Sequence, residues 1–202
     1  AEALKKEITE LEYITEQRKT ELEGKISGNI EALVNKIRSA STSSLLETAK
    51  KEADSFLDTI SSEANGENLK AAKRLAEGSI AAANNEINKL LSELIYLSDI
   101  EKNVLQKNMA TLNAELLAKI DSAKSLEELS KISLEANKGI EEFSSKIQVA
   151  ELDACKRKIN SEYENILSKK DIYSVDNYNS IINIINRSKS ETDKCNVISD
   201  IL

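Results

Sequence analysis

The chain contains no proline, no histidine and no tryptophan, and only five glycines among 202 residues. Proline removes a backbone donor and clashes with the preceding turn, so its absence lets helices run long. Without histidine the chain lacks the commonest general acid/base and the commonest metal ligand. Di-iron bundles built on Glu-x-x-His pairs are excluded, and two cysteines, Cys155 and Cys195, cannot complete a four-ligand zinc site. Phosphate-cradling glycine loops and nucleophile elbows are missing as well. The nearest approach to a calcium loop, Asn65-Gly66-Glu67-Asn68, lacks the ladder of alternating carboxylates. Aromatic residues reach only 3%, which favours narrow helical cores over a large globular one.

Apolar residues make up 40% of the chain and charged residues 31%, the mixture of an amphipathic helical protein rather than a disordered one. The net charge is -7, with basic and acidic residues interleaved. No clustered basic face offers itself to phosphates, so no nucleic-acid partner is expected. No run approaches the roughly 18 apolar residues of a membrane span. The polar helix faces carry both signs of charge, so membrane insertion is not expected either. The opening AEALKKEITELE has neither the basic n-region nor the apolar h-region of a signal peptide.

Helical periodicity dominates. Leu4, Ile8 and Leu11, then Leu22, Ile26, Ile30, Leu33 and Ile37, form an apolar stripe at spacings of three and four. Thr15 and Arg18 occupy stripe positions and weaken that seam. The cluster SASTSS (Ser39–Ser44) ends this first helix, and Ser44 with Glu47 forms an S-x-x-E capping box for the second. Asn65-Gly66 is expected to break the chain again, with glycine past a helix end. Ser98 with Glu101 and Ser125 with Glu128 repeat the capping box. From residue 125 a stripe of Leu129, Ile132, Ala136, Ile140, Phe143, Ile147, Ala150 and Ala154 runs unbroken to Lys169-Lys170-Asp171. A helix of that length spans about 65 Å.

Near residue 150 this stripe changes phase, to Leu152, Cys155, Ile159, Tyr163 and Ile166. The expected fold is therefore all-α, built of elongated antiparallel bundles with very long helices. It has two regions, 1–150 as an elongated helical bundle or coiled coil and 151–202 as a small three-helix bundle. The two share one continuous helix. An echo at an offset of 65 aligns Leu116, Leu117, Ile120, Asp121, Lys124 and Ser125 with Ile181, Ile182, Ile185, Asn186, Lys189 and Ser190.

The phrase Tyr173-Ser-Val-Asp-Asn-Tyr178 leads into Ile181, Ile184, Ile185 and Ser188-Lys189. It resembles the second helix of FIVAR-type three-helix modules, where Tyr-Thr-x-Glu-Ser-Trp precedes the same apolar spacing and an Ala-Lys pair. Such modules, similar to albumin-binding GA modules, occur in tandem in bacterial cell-surface proteins. The resemblance covers about a quarter of the chain and implies a first helix over Lys156–Leu167 and a third over Thr192–Leu202. Packing and capping of a small bundle by Tyr173 and Tyr178 accounts for the same spacing without any ligand.

Cys155 and Cys195 fall on apolar stripes near the starts of the first and third helices of that terminal bundle. They are either two buried thiols or a disulfide, which would close a loop of about forty residues worth roughly 4 kcal/mol. Glu127-Glu128 and Glu141-Glu142 read as solvated helix face rather than as acid/base pairs. No catalytic, cofactor-binding or metal-ligating residue is assigned and no cofactor is expected. The expected function is non-enzymatic: a cell-surface spacer or adhesin-like module that binds a protein partner. The alternative is a structural component of a larger assembly, such as a phage virion or filament. Localisation follows the same choice, extracellular or cell surface against virion or cytoplasm. A pore-former would need an apolar hairpin, and none is found.

Overall fold

Six helices account for nearly all of the chain: α1 (Glu2–Glu10), α2 (Glu16–Arg38), α3 (Ser43–Glu93), α4 (Asp99–Ser122), α5 (Leu126–Ser168) and α6 (Val175–Lys194). The computed structural model describes residues 1–169, 172 and 174–198, and among them there is no strand. The fold is an all-α helical bundle with long helices, as the unbroken three/four periodicity predicts. The continuous stretch of 51 helical residues in α3 uses the absence of proline to the full.

Three sequence expectations are corrected. The first helix is two helices, because Thr15 leaves the stripe to become an N-cap whose side chain accepts from the Arg18 N–H at 3.2 Å. The second correction concerns the start of α3. Thr42, not Ser44, takes that capping role, its hydroxyl accepting from the Leu45 N–H at 3.2 Å. Finally, Asn65-Gly66 does not break the chain. Gly66 lies in mid-helix without a positive φ, and the register of neighbouring good helix formers prevails over one glycine.

Compact packing divides the chain into two units, Ala1–Ser79 with Ala118–Ser133, and Ile80–Leu117 with Leu134–Leu202. The divisions fall inside α3, α4 and α5. Helix α5 runs straight through the phase change near residue 150, with Ala154 and Cys155 both buried at the crossover.

Each unit has its own core, and the two cores are one pattern written twice. In the first unit Leu4, Ile8, Ile26, Ile60 and Ala64 are buried together. In the second the cluster is Ile87, Leu91, Met109, Phe143 and Ile147. Every member of the second lies 83 positions after its counterpart in the first. The same offset relates Leu11-Glu-Tyr13-Ile-Thr15 to Leu94-Ile-Tyr96-Leu-Ser98, and Thr42 to Ser125, which caps α5 by accepting from the Glu128 N–H at 3.1 Å. It also relates Lys73, whose Nζ donates to the Asp121 carbonyl at 2.6 Å, to Lys156, whose Nζ donates to the Asp193 carbonyl at 3.3 Å. The chain is an internal duplication. The echo expected at an offset of 65 is not this repeat: it would match Lys124 and Ser125, in the turn before α5, to Lys189 and Ser190, which are helical residues of α6.

Where the copies differ, volume is redistributed. Phe56, Ile60 and Ala64 in α3 become Gly139, Phe143 and Ile147 in α5, which moves the aromatic ring one helical turn along the core. This exchange of volume between positions is the compensation that close-packed interiors require. Gly139 faces Leu112 of α4, which an added Cβ would meet at 3.7 Å, an ordinary van der Waals contact.

A third partial copy follows. Ser174 caps α6 by accepting from the Asn177 N–H at 3.4 Å, and buried Ile185 and Thr192 lie 76 positions after buried Met109 and Leu116. Its spacing is shorter by seven residues, close to two helical turns, and α5, with 43 residues, is likewise shorter than α3, with 51. Helix α6 continues through Ser190 and Thr192, so the third helix expected from Thr192 does not begin there. Residues 199–202, with Ile201 and Leu202 of that expected helix, lie outside the described residues, as does Tyr173.

Gly66→Ala is expected to stabilise the protein by about 1 kcal/mol, the helix-propensity difference, since nothing lies within 4 Å of the added methyl. Urea denaturation followed by circular dichroism measures it; a loss of stability would contradict the mid-helix placement. In the same assay Thr42→Ala is expected to cost about 1 kcal/mol and Ser44→Ala close to nothing.

Candidate functional site

The best-built polar feature in each unit is a clasp at the turn between consecutive helices. A chain that leaves one helix and enters another exposes backbone N–H groups without intrahelical partners. In the first unit the Tyr13 N–H, between α1 and α2, donates to Oδ1 of Asn68 at 2.8 Å. Asn68, on α3, is only 2% exposed. In the second unit Glu151, on α5 and 3% exposed, performs the same task more completely. Its Oε1 accepts from the Ile95 and Tyr96 N–H groups at 3.0 and 2.9 Å, and Oε2 from Leu97 N–H at 2.9 Å. Three donors converging on one carboxylate compensate the cost of burying it.

Around each clasp the turn is tied further. Lys19 Nζ donates to the Thr9 carbonyl at 2.9 Å and its counterpart Lys102 to the Leu94 carbonyl at 2.5 Å, placing cations at helix C-termini. Ser98 and Glu101 form the reciprocal capping box that their spacing predicts: Ser98 N–H donates to Glu101 at 2.9 Å and Glu101 N–H to Ser98 Oγ at 3.3 Å. The Ser98 hydroxyl, which donates to the same carboxylate at 2.7 Å, then the Ser98 N–H, with Arg157 alongside, hold the Glu101 carboxyl below the usual range. In the predicted box at Ser125, Glu128 accepts instead from the Lys124 N–H at 2.7 Å.

The first unit adds an ion cluster. Arg18 donates to Glu67 through Nε at 2.7 Å and Nη2 at 2.9 Å, to Glu63 at 2.5 Å and to Glu21 at 2.8 Å. Lys25 also reaches Glu63, at 2.6 Å. The Arg18 guanidinium is held above its ordinary value chiefly by Glu67, and Glu21 below its own chiefly by Arg18. Glu63 is lowered chiefly by Lys25. The second unit has Glu101 and Lys146 in place of Arg18 and Glu63, and it pairs Glu101 with Arg157.

Of the residues singled out in the sequence, Cys155 is fully buried and Cys195 is half-buried at the end of α6; both are thiols. The Cys155 thiol lies against Tyr96, whose phenol is pushed up by burial first and by that thiol second. Lys156 beside one cysteine reaches Asp193 close to the other. Tyr178 donates its hydroxyl to the Leu167 carbonyl at 3.1 Å, closing the end of α5. Glu127 pairs with exposed Lys131, and Glu142 with exposed Lys138. Among the described residues no three Cys, Asp or Glu side chains are grouped to hold a metal ion, and no helix is long and apolar enough to cross a membrane. A groove of about 450 Å³ runs beside the second clasp, lined by Leu94, Val149, Leu152, Val197 and Ile198.

No protein-family model matches the chain, and neither a curated protein nor a solved structure matches it. The clasps, caps and ion pairs therefore carry the reading by themselves. All of them satisfy groups that the fold itself creates.

Glu151→Ala strands three backbone donors and is expected to cost about 3 kcal/mol or more, against about 1–3 kcal/mol for Asn68→Ala. Equilibrium denaturation compares them, and equal effects would contradict the difference in donors held. The lowered carboxyls of Glu21, Glu63 and Glu101 contribute stability that is complete above the ordinary carboxylate range, near pH ~4.3. That contribution disappears as pH falls through their lowered values. Melting temperature is expected to drop through that acid window, and Glu63→Gln to make the drop shallower. Alkylation without reductant is expected to add two labels to the unfolded protein; no uptake would demonstrate a bridge.

Proposed function

We propose that the chain is a non-enzymatic helical spacer whose repeated units set reach and present one face to a protein partner. The duplication is the observation that carries this reading. What recurs at the offset of 83 is core, cap and clasp, the parts that maintain a shape. Repeats of this kind extend a structure by fixed increments. Helix α3, with 51 residues, rises about 77 Å at 1.5 Å per residue. Both cores are completed inside single units, which weighs against a subunit whose stripes other chains must fill.

The partner-binding part of the reading rests on a difference between copies. Glu12, Gln17 and Glu21 of the first unit correspond to Ile95, Ile100 and Val104 of the second. These are 74%, 77% and 51% exposed. A solvated polar edge has become an apolar one, the composition of a contact surface. The cell-surface part rests on the resemblance of Tyr173–Tyr178 to surface modules, with a phage virion or filament component as the alternative.

Small-angle scattering with sedimentation velocity on dilute protein tests the spacer. A helical, cooperatively melting, extended monomer is expected. A chain that loses its helices on dilution would overturn the reading in favour of an obligate assembly subunit.

A further inference from the structure

A tyrosine stands in the turn of both complete copies, and its surroundings differ. Tyr13, between α1 and α2, and Tyr96, between α3 and α4, are counterparts at the offset of 83, as are Leu75 on α3 and Lys158 on α5. In the second unit the Lys158 Nζ stands over the Tyr96 ring, 5.6 Å from its centroid, within the range of a cation–π contact. Tyr96 is half-buried. In the first unit Leu75 takes the lysine's place and brings no charge. Among the described residues no cation stands over the Tyr13 ring, and Tyr13 is 38% exposed.

Beside Tyr13 lies a groove of about 280 Å³, walled by α3 and the first turns of α5 and contained within the first unit. Leu75 and Leu126 make its sides apolar while remaining 61% and 39% exposed. Among the described residues no charged side chain lines it. Two of its serines offer acceptors only. Ser79 Oγ donates to the Leu75 carbonyl at 3.0 Å and Ser133 Oγ to the Leu129 carbonyl at 2.9 Å. Both hydroxyl protons are committed within their own helices, and each oxygen keeps lone pairs for a donor. Apolar walls, an aromatic face and acceptors together suit a ligand with a hydrocarbon stem and a cationic head that only donates. A lysine side chain has that build. The size decides how it arrives. Pockets for whole small molecules run to roughly 300–1,000 Å³, so an open groove below that range suits one side chain carried by something larger.

We propose that this groove takes a lysine side chain of a protein partner. Its ammonium lies over the Tyr13 ring and against the Ser79 and Ser133 hydroxyls, and its stem runs along Leu75 and Leu126. The partner supplies from outside the group that the second copy supplies from its own Lys158. The inference rests on the partner-binding reading above and gives the chemistry of one contact on the first unit.

Nuclear magnetic resonance of the full chain with labelled tyrosines tests it. The probe is Nα-acetyl-lysine N-methylamide, compared with its norleucine analogue, which keeps the stem and lacks the ammonium. The Tyr13 ring signals, assigned by their loss in Tyr13→Leu, are expected to shift saturably with the lysine probe, with the millimolar dissociation constant that a single side chain allows. The norleucine analogue is expected to bind at least about fivefold more weakly. Leu75→Lys, which installs the second copy's residue at an exposed position, is expected to put its own ammonium over the ring and weaken the probe at least about fivefold. In a second readout the ε-methylene signal of the probe moves upfield in the ring current, and Tyr13→Leu abolishes that movement. A Tyr13 signal unmoved at about 50 mM probe, an equal response to both probes, or a response that Leu75→Lys leaves unchanged would overturn the proposal. Each of these results leaves the spacer reading standing, since that is tested by scattering from the chain alone.

Discussion

The architecture depends on satisfying backbone donors where one long helix stops and the next begins. Water cannot serve a donor that faces packed side chains, so an acceptor must come from elsewhere in the fold. Asn68 and Glu151 are those acceptors, each reaching from the longest helix of its unit into the turn between the other two. Once this is fixed, the rest follows. The reversal is positioned, the apolar stripes of the paired helices come into register, and the lysines and caps around the turn add smaller contributions.

The two copies solve the same problem with different chemistry. An amide serves one donor in the first unit and a carboxylate serves three in the second. The second unit also lacks the Arg18 cluster, while its core holds Gly139, Phe143 and Ile147 where the first has Phe56, Ile60 and Ala64. Ion pairs at half-exposed positions contribute little, while apolar burial scales with area. The apolar volume at these core positions is therefore nearly conserved between the copies, and the larger difference lies in the charges at their surfaces.

Much of this was legible in the sequence and some was not. Helical class, the absence of strands and the breaks at Ser39–Ser44, Ser98 and Lys169 follow from periodicity and capping chemistry. The break at Thr15 is hidden in the sequence, because a threonine on a weak stripe and a threonine cap look alike until the partner helix is known. Asn65-Gly66 misled in the other direction, since local turn chemistry was overruled by packing on both sides. The clasp residues carried no local signal. Glu151 sits on an apolar stripe, at the phase change, and only its non-local donors explain its burial. The duplication was recoverable: Leu-x-Tyr-x-Thr/Ser recurs at residues 11 and 94. Substitutions that preserve size class rather than identity hide the rest.

The clasps also bear on the order in which the chain acquires structure. Helices form from contacts three and four residues apart and need no distant partner. Each clasp instead joins groups 55 residues apart in both copies, Tyr13 with Asn68 and Tyr96 with Glu151. Closing a loop of that length costs entropy that a single turn of helix does not repay. Preformed helices must therefore collapse along their apolar faces before either acceptor finds its donors. A clasp that closes after this collapse leaves a kinetic signature: a side chain changed there is expected to alter the rate of unfolding far more than the rate of folding.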